Sequence, residues 1–114
     1  MGFALLKLME SRKFVNKLKE WIESIEGIQQ YTDNYNNWCY GTSKQKHIIH
    51  LHPYNTHADI EINNSEMFRK FLNKFDSRPH EWNTQNWLII NIISKENYDA
   101  AKEVIIEVVK FISS

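Results

Sequence analysis

The segment HIIHLHPYNTHADIEI, residues 47–62, contains four of the five histidines, and the predicted sheet is organised around it. It reads as two strand-like runs, His47–His52 and His57–Ile62, on either side of Pro53-Tyr54-Asn55-Thr56. Proline and asparagine are typical turn residues, so this pattern predicts an antiparallel β-hairpin.

Side chains alternate between the two faces of a strand, which separates a polar face of this hairpin from an apolar one. The polar face is predicted to carry Ile48, His50, His52, His57, Asp59 and Glu61. The opposite face is predicted to carry His47, Ile49, Leu51, Ala58, Ile60 and Ile62. We expect the apolar face to pack against helices and the polar face to line solvent or a shallow cleft.

A four-residue loop would fix the register of the two strands. The predicted cross-strand pairs are His52 with His57, His50 with Asp59, and Ile48 with Glu61. Directly opposed side chains have Cβ atoms about 5 Å apart. The hairpin would therefore gather three imidazoles and one or two carboxylates on one patch of sheet.

Hydrophobic periodicity along the rest of the chain predicts an α+β fold. The predicted helices are Ser11–Ile25, Glu66–Phe75 and Lys95–Ile112, and residues 3–9 either extend the first helix or form an N-terminal arm. Besides the hairpin, the predicted strands are Ile28–Thr32, Trp38–Gly41 and Trp87–Ile93. The order α-β-β-β-β-α-β-α predicts a mostly antiparallel sheet of about five strands, with helices mainly on one face. We expect residues 1–114 to form one domain.

Composition excludes several classes of function. Fourteen basic and fourteen acidic residues cancel, which disfavours a nucleic-acid partner. The apolar run near the N-terminus is too short for a membrane span, and the three glycines exclude a glycine-rich phosphate loop. Cys39 is the single cysteine, so we expect a structural thiol, no disulfide, no cysteine-based zinc site and a reducing, cytoplasmic location.

The histidine-rich hairpin supports three chemical interpretations. His50, His52, His57 and Asp59 supply the nitrogen and oxygen donors that zinc, nickel, manganese or iron accept, which predicts a metal site. Alternatively, Asp59 orients His50 for proton transfer, although no accompanying nucleophile is evident and no catalytic residue is assigned. In the third interpretation, these side chains are solvated and pair only weakly across the strands.

A second candidate site lies in the irregular segment 76–85. His80, Trp82 and Arg78 together suit an anionic or planar ligand. The alternative is that Trp82 plugs the edge of the core and anchors the loop.

The chain resembles the small "luciferase domain" family of bacterial and fungal proteins, which is unrelated to the barrel luciferases. The resemblance rests on Cys39-Tyr40-Gly41, then His50-Leu51-His52-Pro53, then Thr56-His57-Ala58-Asp59-Ile60, followed by His80. It covers roughly Trp38 to Ile112, and Thr56 stands where that family tends to have glycine. The resemblance implies a compact α+β domain of undetermined biochemistry. The order of elements also resembles the YjbR-like α+β domains.

Together these features predict a small soluble binding domain, whose hairpin binds a metal ion or small polar ligand. One alternative is a protein-interaction or homodimerisation module, and another is a small metal-dependent hydrolase. A ligand site predicts imidazoles that converge in a concavity, whereas an interaction surface predicts a flatter patch with an apolar rim. The sequence leaves open whether the domain is an enzyme.

Overall fold

A computed structural model describes residues 2–32, 38–53, 58–75, 77–80 and 86–113. Within these residues the chain forms three helices, α1 (Phe3–Glu23), α2 (Ser65–Phe71) and α3 (Lys95–Ser113). It also forms six strands: β1 (Gln29–Thr32), β2 (Trp38–Gly41), β3 (Ile49–Pro53), β4 (Ala58–Asn63), β5 (Arg78–Pro79) and β6 (Trp87–Asn91).

The six strands form one antiparallel sheet in the order β1-β2-β3-β4-β6-β5. This confirms the predicted α+β fold, with one strand more than the five expected. The additional strand, β5, lies in the segment that was predicted to be irregular. Two residues are too few to show an alternating pattern, so sequence periodicity could not reveal it.

The hydrophobic core lies between the three helices and one face of the sheet. On the sheet side it contains Tyr40, Ile49, Leu51, Ile60, Ile62, Leu88 and Ile90, which share one parity across the paired strands. The helices contribute Val15, Leu18, Ile22, Met67, Phe71, Ala101, Val104, Ile105 and Val108. These residues recur every three or four positions, so each helix presents one apolar stripe to the sheet. The opposite face of the sheet is therefore left for polar side chains.

Helix α1 begins well before the position that the sequence favoured. Ser11 was expected near its N-terminus, but the helix starts at Phe3, as the extended alternative predicted. The intervening residues are mostly alanine, leucine, lysine and methionine, which are good helix formers. Ser11 is instead buried within the helix, where its hydroxyl donates a hydrogen bond to the carbonyl oxygen of Ile92. That bond ties α1 to the chain just after β6.

The other two helices differ from their predicted bounds mainly at the end of α2. Asn64 caps this helix, because its side chain accepts a hydrogen bond from the Met67 amide at 3.0 Å. The helix stops at Phe71 rather than Phe75, since Asn73 and Phe75 adopt positive φ angles of 65° and 57°. None of the described helices combines the length and the hydrophobicity that a membrane-spanning segment requires.

The start of β3 corrects the predicted side-chain alternation. Strand pairing begins at Ile49, so the pattern does not extend back to His47 and Ile48. Ile48 was expected beside His50, but it is buried in the core. Its amide donates to the Tyr40 carbonyl at 3.0 Å, and its carbonyl accepts from the Asn63 amide at 2.7 Å. His47 was expected on the apolar face, but it is exposed and its ring lies against that of His50.

Gly41, at the end of β2, permits a close approach of the turn that leads into β3. A Cβ atom at this position would overlap the backbone carbonyl groups of Gln45 and Lys46. This turn is closed by a hydrogen bond from the Thr42 amide to the Gln45 carbonyl at 2.8 Å.

We predict that Gly41→Ala lowers the free energy of unfolding by about 1–3 kcal/mol, the range typical of overpacking. Denaturant unfolding followed by circular dichroism measures the change. Gly2→Ala is the control, because a Cβ atom there meets nothing within 4 Å and should change stability by less than about 0.5 kcal/mol. Equal stability of the two variants would contradict the steric role of Gly41.

Candidate metal centre

A row of side chains crosses the face of the sheet opposite the helices. The strand registers align these positions in the order Tyr31, Cys39, His50, Glu61, Ile89 and Arg78. Glu61 lies on β4 near the centre of the row, directly opposite His50 on β3. This face, here called the polar face, positions the candidate site.

Three histidine side chains surround the carboxylate of Glu61. His52 Nδ1 lies 3.4 Å from Glu61 Oε2, and His80 Nε2 lies 3.7 Å from the same oxygen. His50 Nδ1 lies 4.0 Å from the other carboxylate oxygen, Oε1. His50 and His52 belong to β3, whereas His80 directly follows β5, so two separate parts of the sheet meet at this carboxylate.

Glu61 is an unusual residue to find in so enclosed a position. Its side chain is only 8% exposed, as is that of His52. Burial by itself raises the pKa of the Glu61 carboxyl, because it penalises the charged form. A hydrogen bond from His52 and the charges of His52, His80 and His50 oppose burial, and the net pKa lies below the ordinary value. The carboxylate is therefore held in its anionic form.

Trp87, the first residue of β6, borders the histidines. Its ring centroid lies 4.8 Å from that of His50 and 6.3 Å from that of His80. The His80 amide also donates to the Trp87 carbonyl at 3.1 Å, which fixes His80 beside the strand. The indole thus forms an apolar border to the cluster.

His50, His52 and Glu61 have the geometry of a group that could hold a metal ion. One ligand atom from each lies within 4.8 Å of the other two. Donors on one tetrahedral zinc ion are about 3.4 Å apart, as follows from bond lengths near 2.1 Å. Side-chain rotations that move each ligand atom by about 1 Å would therefore bring these three groups onto one ion.

The structure brings together part of the metal site predicted from the sequence. His50 and His52 share the polar face as expected, but the register of the hairpin differs by two residues from the predicted one. His50 is opposite Glu61, and His52 is opposite Asp59. The last strand pair is Pro53 with Ala58, so β3 extends one residue further than predicted, and the rest of the predicted turn, residues 54–56, lies outside the described residues.

Two of the four predicted metal ligands are not located by the structure. His57 lies outside the described residues, and the side chain of Asp59 is likewise not described. The assignment of these two residues therefore stays a prediction. Glu61 supplies the carboxylate of the observed group.

The structure also locates only part of the second predicted site. His80 joins the cluster around Glu61, whereas Arg78 donates a hydrogen bond to Asn91 Oδ1 at 3.3 Å. Trp82 lies outside the described residues. The indole beside His50 and His80 belongs to Trp87, which was predicted only as the first residue of the strand Trp87–Ile93. The sequence signal for this position is strand alternation: Trp87 shares a face with Ile89 and Asn91, opposite to the core residues Leu88 and Ile90.

Comparisons with protein-family models, with curated proteins and with solved structures each give no significant match. The resemblance to the luciferase domain family and to the YjbR-like domains therefore stays a prediction.

The ionised state of Glu61 predicts a specific dependence of stability on pH. A carboxyl group whose pKa is lower in the folded state stabilises the fold above its unfolded pKa, near 4.3, and loses this effect as the pH falls through the folded value. Metal-free Glu61→Gln should therefore be less stable than the parent at about pH 6–7, and the difference should shrink below about pH 4. Urea unfolding across this range measures the free energies.

Glu66→Gln is the matched control, because the Glu66 side chain is half exposed and contacts Arg69 rather than the histidines. We expect this variant to follow the parent at every pH. A constant difference in free energy between the parent and Glu61→Gln would contradict the assignment of a lowered pKa to Glu61.

Proposed function

We propose that this domain binds a divalent transition-metal ion through His50, His52 and Glu61. The observation that carries the proposal is the convergence of two imidazoles and one buried, anionic carboxylate from adjacent strands. A carboxylate in a low-dielectric position has to be compensated by positive charge or hydrogen bonds. A bound cation would supply that charge directly.

The donor types narrow the choice of metal. Two imidazole nitrogens and one carboxylate oxygen suit zinc, nickel, manganese and iron, the ions that the sequence also indicated. Three protein ligands leave at least one coordination position for water or a small polar ligand. The proposal thus accommodates the small-ligand function that the sequence predicted, with the ion as the point of attachment.

His80 and Trp87 would support this site from outside the set of metal ligands. His80 Nε2, at 3.7 Å from Glu61 Oε2, is placed to orient the carboxylate by a hydrogen bond. Such outer contacts fix ligand orientation and typically contribute 10- to 100-fold (about 1.4–2.7 kcal/mol) to metal affinity. The Trp87 indole, packed against His50, would restrict rotation of that imidazole.

The geometry favours this function over an interaction module. An interaction surface would spread its side chains over a flat patch, whereas here the imidazoles converge on one carboxylate that is 8% exposed. Such convergence is typical of a site for a small charged ligand. If the domain binds no metal, protein interaction or homodimerisation is the alternative function.

Zinc titration of metal-free protein, prepared without a histidine tag, tests the proposal. We expect Glu61→Gln to weaken zinc binding at this site by more than the roughly 10–100-fold effect of an outer contact, since a ligand is lost. His52→Ala should have a comparable effect. Isothermal titration calorimetry measures the affinities, and elemental analysis of the untreated protein shows whether metal is retained on purification.

Two further variants make the result specific. Glu66→Gln removes a carboxylate remote from the histidines and should leave zinc binding unchanged. His57→Ala tests the ligand that the sequence predicted outside the described residues. If the parent and Glu61→Gln bind zinc with the same affinity, or if neither binds it, this function is wrong.

A further inference from the structure

A second group of metal-binding side chains lies beside the first on the polar face. Cys39, His47 and His50 each place one ligand atom within 4.8 Å of the other two. Cys39 is on β2, directly opposite His50 on β3, and His47 lies just before β3. The group therefore shares His50 with the site formed by His52 and Glu61.

We propose that Cys39, His47 and His50 form a second metal site, which takes a thiophilic divalent ion such as zinc. His50 then lies between two ions and contributes one ring nitrogen to each. The shared role of His50 rests on the proposed function, whereas the thiolate site itself does not.

The orientation of the His50 ring supports this sharing. Its Nε2 atom lies 3.1 Å from His47 Nδ1, and its Nδ1 atom lies 4.0 Å from Glu61 Oε1. The two nitrogens of one imidazole thus face the two different groups. Because both ring nitrogens can act as metal ligands, one His50 side chain can serve both sites once both protons are released. The distance of 3.1 Å between His47 Nδ1 and His50 Nε2 is already close to the spacing of about 3.4 Å expected for two ligand atoms on one zinc ion.

The position of Cys39 in the fold also fits a ligand. A buried cysteine is usually a small hydrophobic residue of the core. Cys39 is fully buried, yet it lies on the polar face, while its neighbour Tyr40 is in the core between sheet and helices. A thiol that coordinates a metal loses its proton, so burial is compatible with the metal-bound form. His47 is exposed and provides a solvent-facing side for an ion to approach.

The two donor sets differ in chemistry. A thiolate with two imidazoles selects zinc and other thiophilic ions, whereas two imidazoles with a carboxylate also accept manganese and iron. The second site would be an exception to the expectation that a single cysteine excludes a cysteine-based zinc site, because the two histidines complete the ligand set.

Cobalt(II) is the probe, because its thiolate complexes absorb by charge transfer in the near ultraviolet, which imidazole and carboxylate complexes do not. We expect the tag-free parent, kept reduced, to bind about two cobalt ions per chain and to show this absorption. Cys39→Ser should lose the charge-transfer absorption and one ion, but keep the visible absorption of cobalt at Glu61. Glu61→Gln should lose the other ion and keep the charge-transfer absorption.

His47→Ala provides a second variant that leaves the interior unchanged, because His47 is exposed. It should weaken the binding of the charge-transfer cobalt ion at least about tenfold, while cobalt at the Glu61 site is retained. This readout keeps the proposal falsifiable if Cys39→Ser does not fold.

The outcomes separate the two proposals. Cobalt binding to the parent without charge-transfer absorption, for example as a single ion per chain, overturns the second site. If that single ion is lost in Glu61→Gln, the proposed function stands. Absence of any cobalt binding overturns both proposals. If the parent binds one ion with charge-transfer absorption, and Glu61→Gln does not affect it, a thiolate site is supported but the shared role of His50 is overturned.

Discussion

The charge of Glu61 is the constraint on which the polar face depends. An ionised carboxylate with 8% of its side chain exposed would be strongly destabilising without compensation. The three imidazoles around it provide that compensation, at distances of 3.4–4.0 Å. Because they come from β3 and from the segment after β5, the carboxylate also holds together parts of the sheet that are distant in sequence.

The apolar face of the same strands offsets the free-energy cost of enclosing the Glu61 carboxylate and the histidines. Leu51 and Ile60, which flank the site residues along β3 and β4, are fully buried against the helices. Burying a side chain of this size contributes about 1.5–3 kcal/mol. A rigid, antiparallel framework therefore fixes the backbone positions from which His50, His52 and Glu61 project to the other side. The fold and the site are two consequences of one alternating pattern.

That alternation explains how much could be predicted from the sequence. The α+β class, the hairpin and the shared face of His50 and His52 follow from local periodicity, and all are present in the structure. A register shift of two residues preserves every face, so periodicity could not distinguish Asp59 from Glu61 as the partner of His50.

The remaining differences have equally physical causes. His47 departs from the predicted alternation because strand pairing begins only at Ile49. The proximity of Cys39 and His80 to the histidines depends on the pairing of β2 and β5 with other strands, and therefore on long-range contacts. A single sequence gives the faces of its strands, but the order in which strands pair determines which side chains meet.

Anomalous X-ray diffraction at the zinc absorption edge, from crystals of zinc-loaded protein, can show whether a metal ion binds beside Glu61. We predict a zinc peak on the polar face, at about 2.0–2.2 Å from the Glu61 carboxylate and from an imidazole nitrogen of His52. A fully loaded crystal without a peak beside Glu61, or with zinc only at other places on the surface, would contradict a metal site at Glu61.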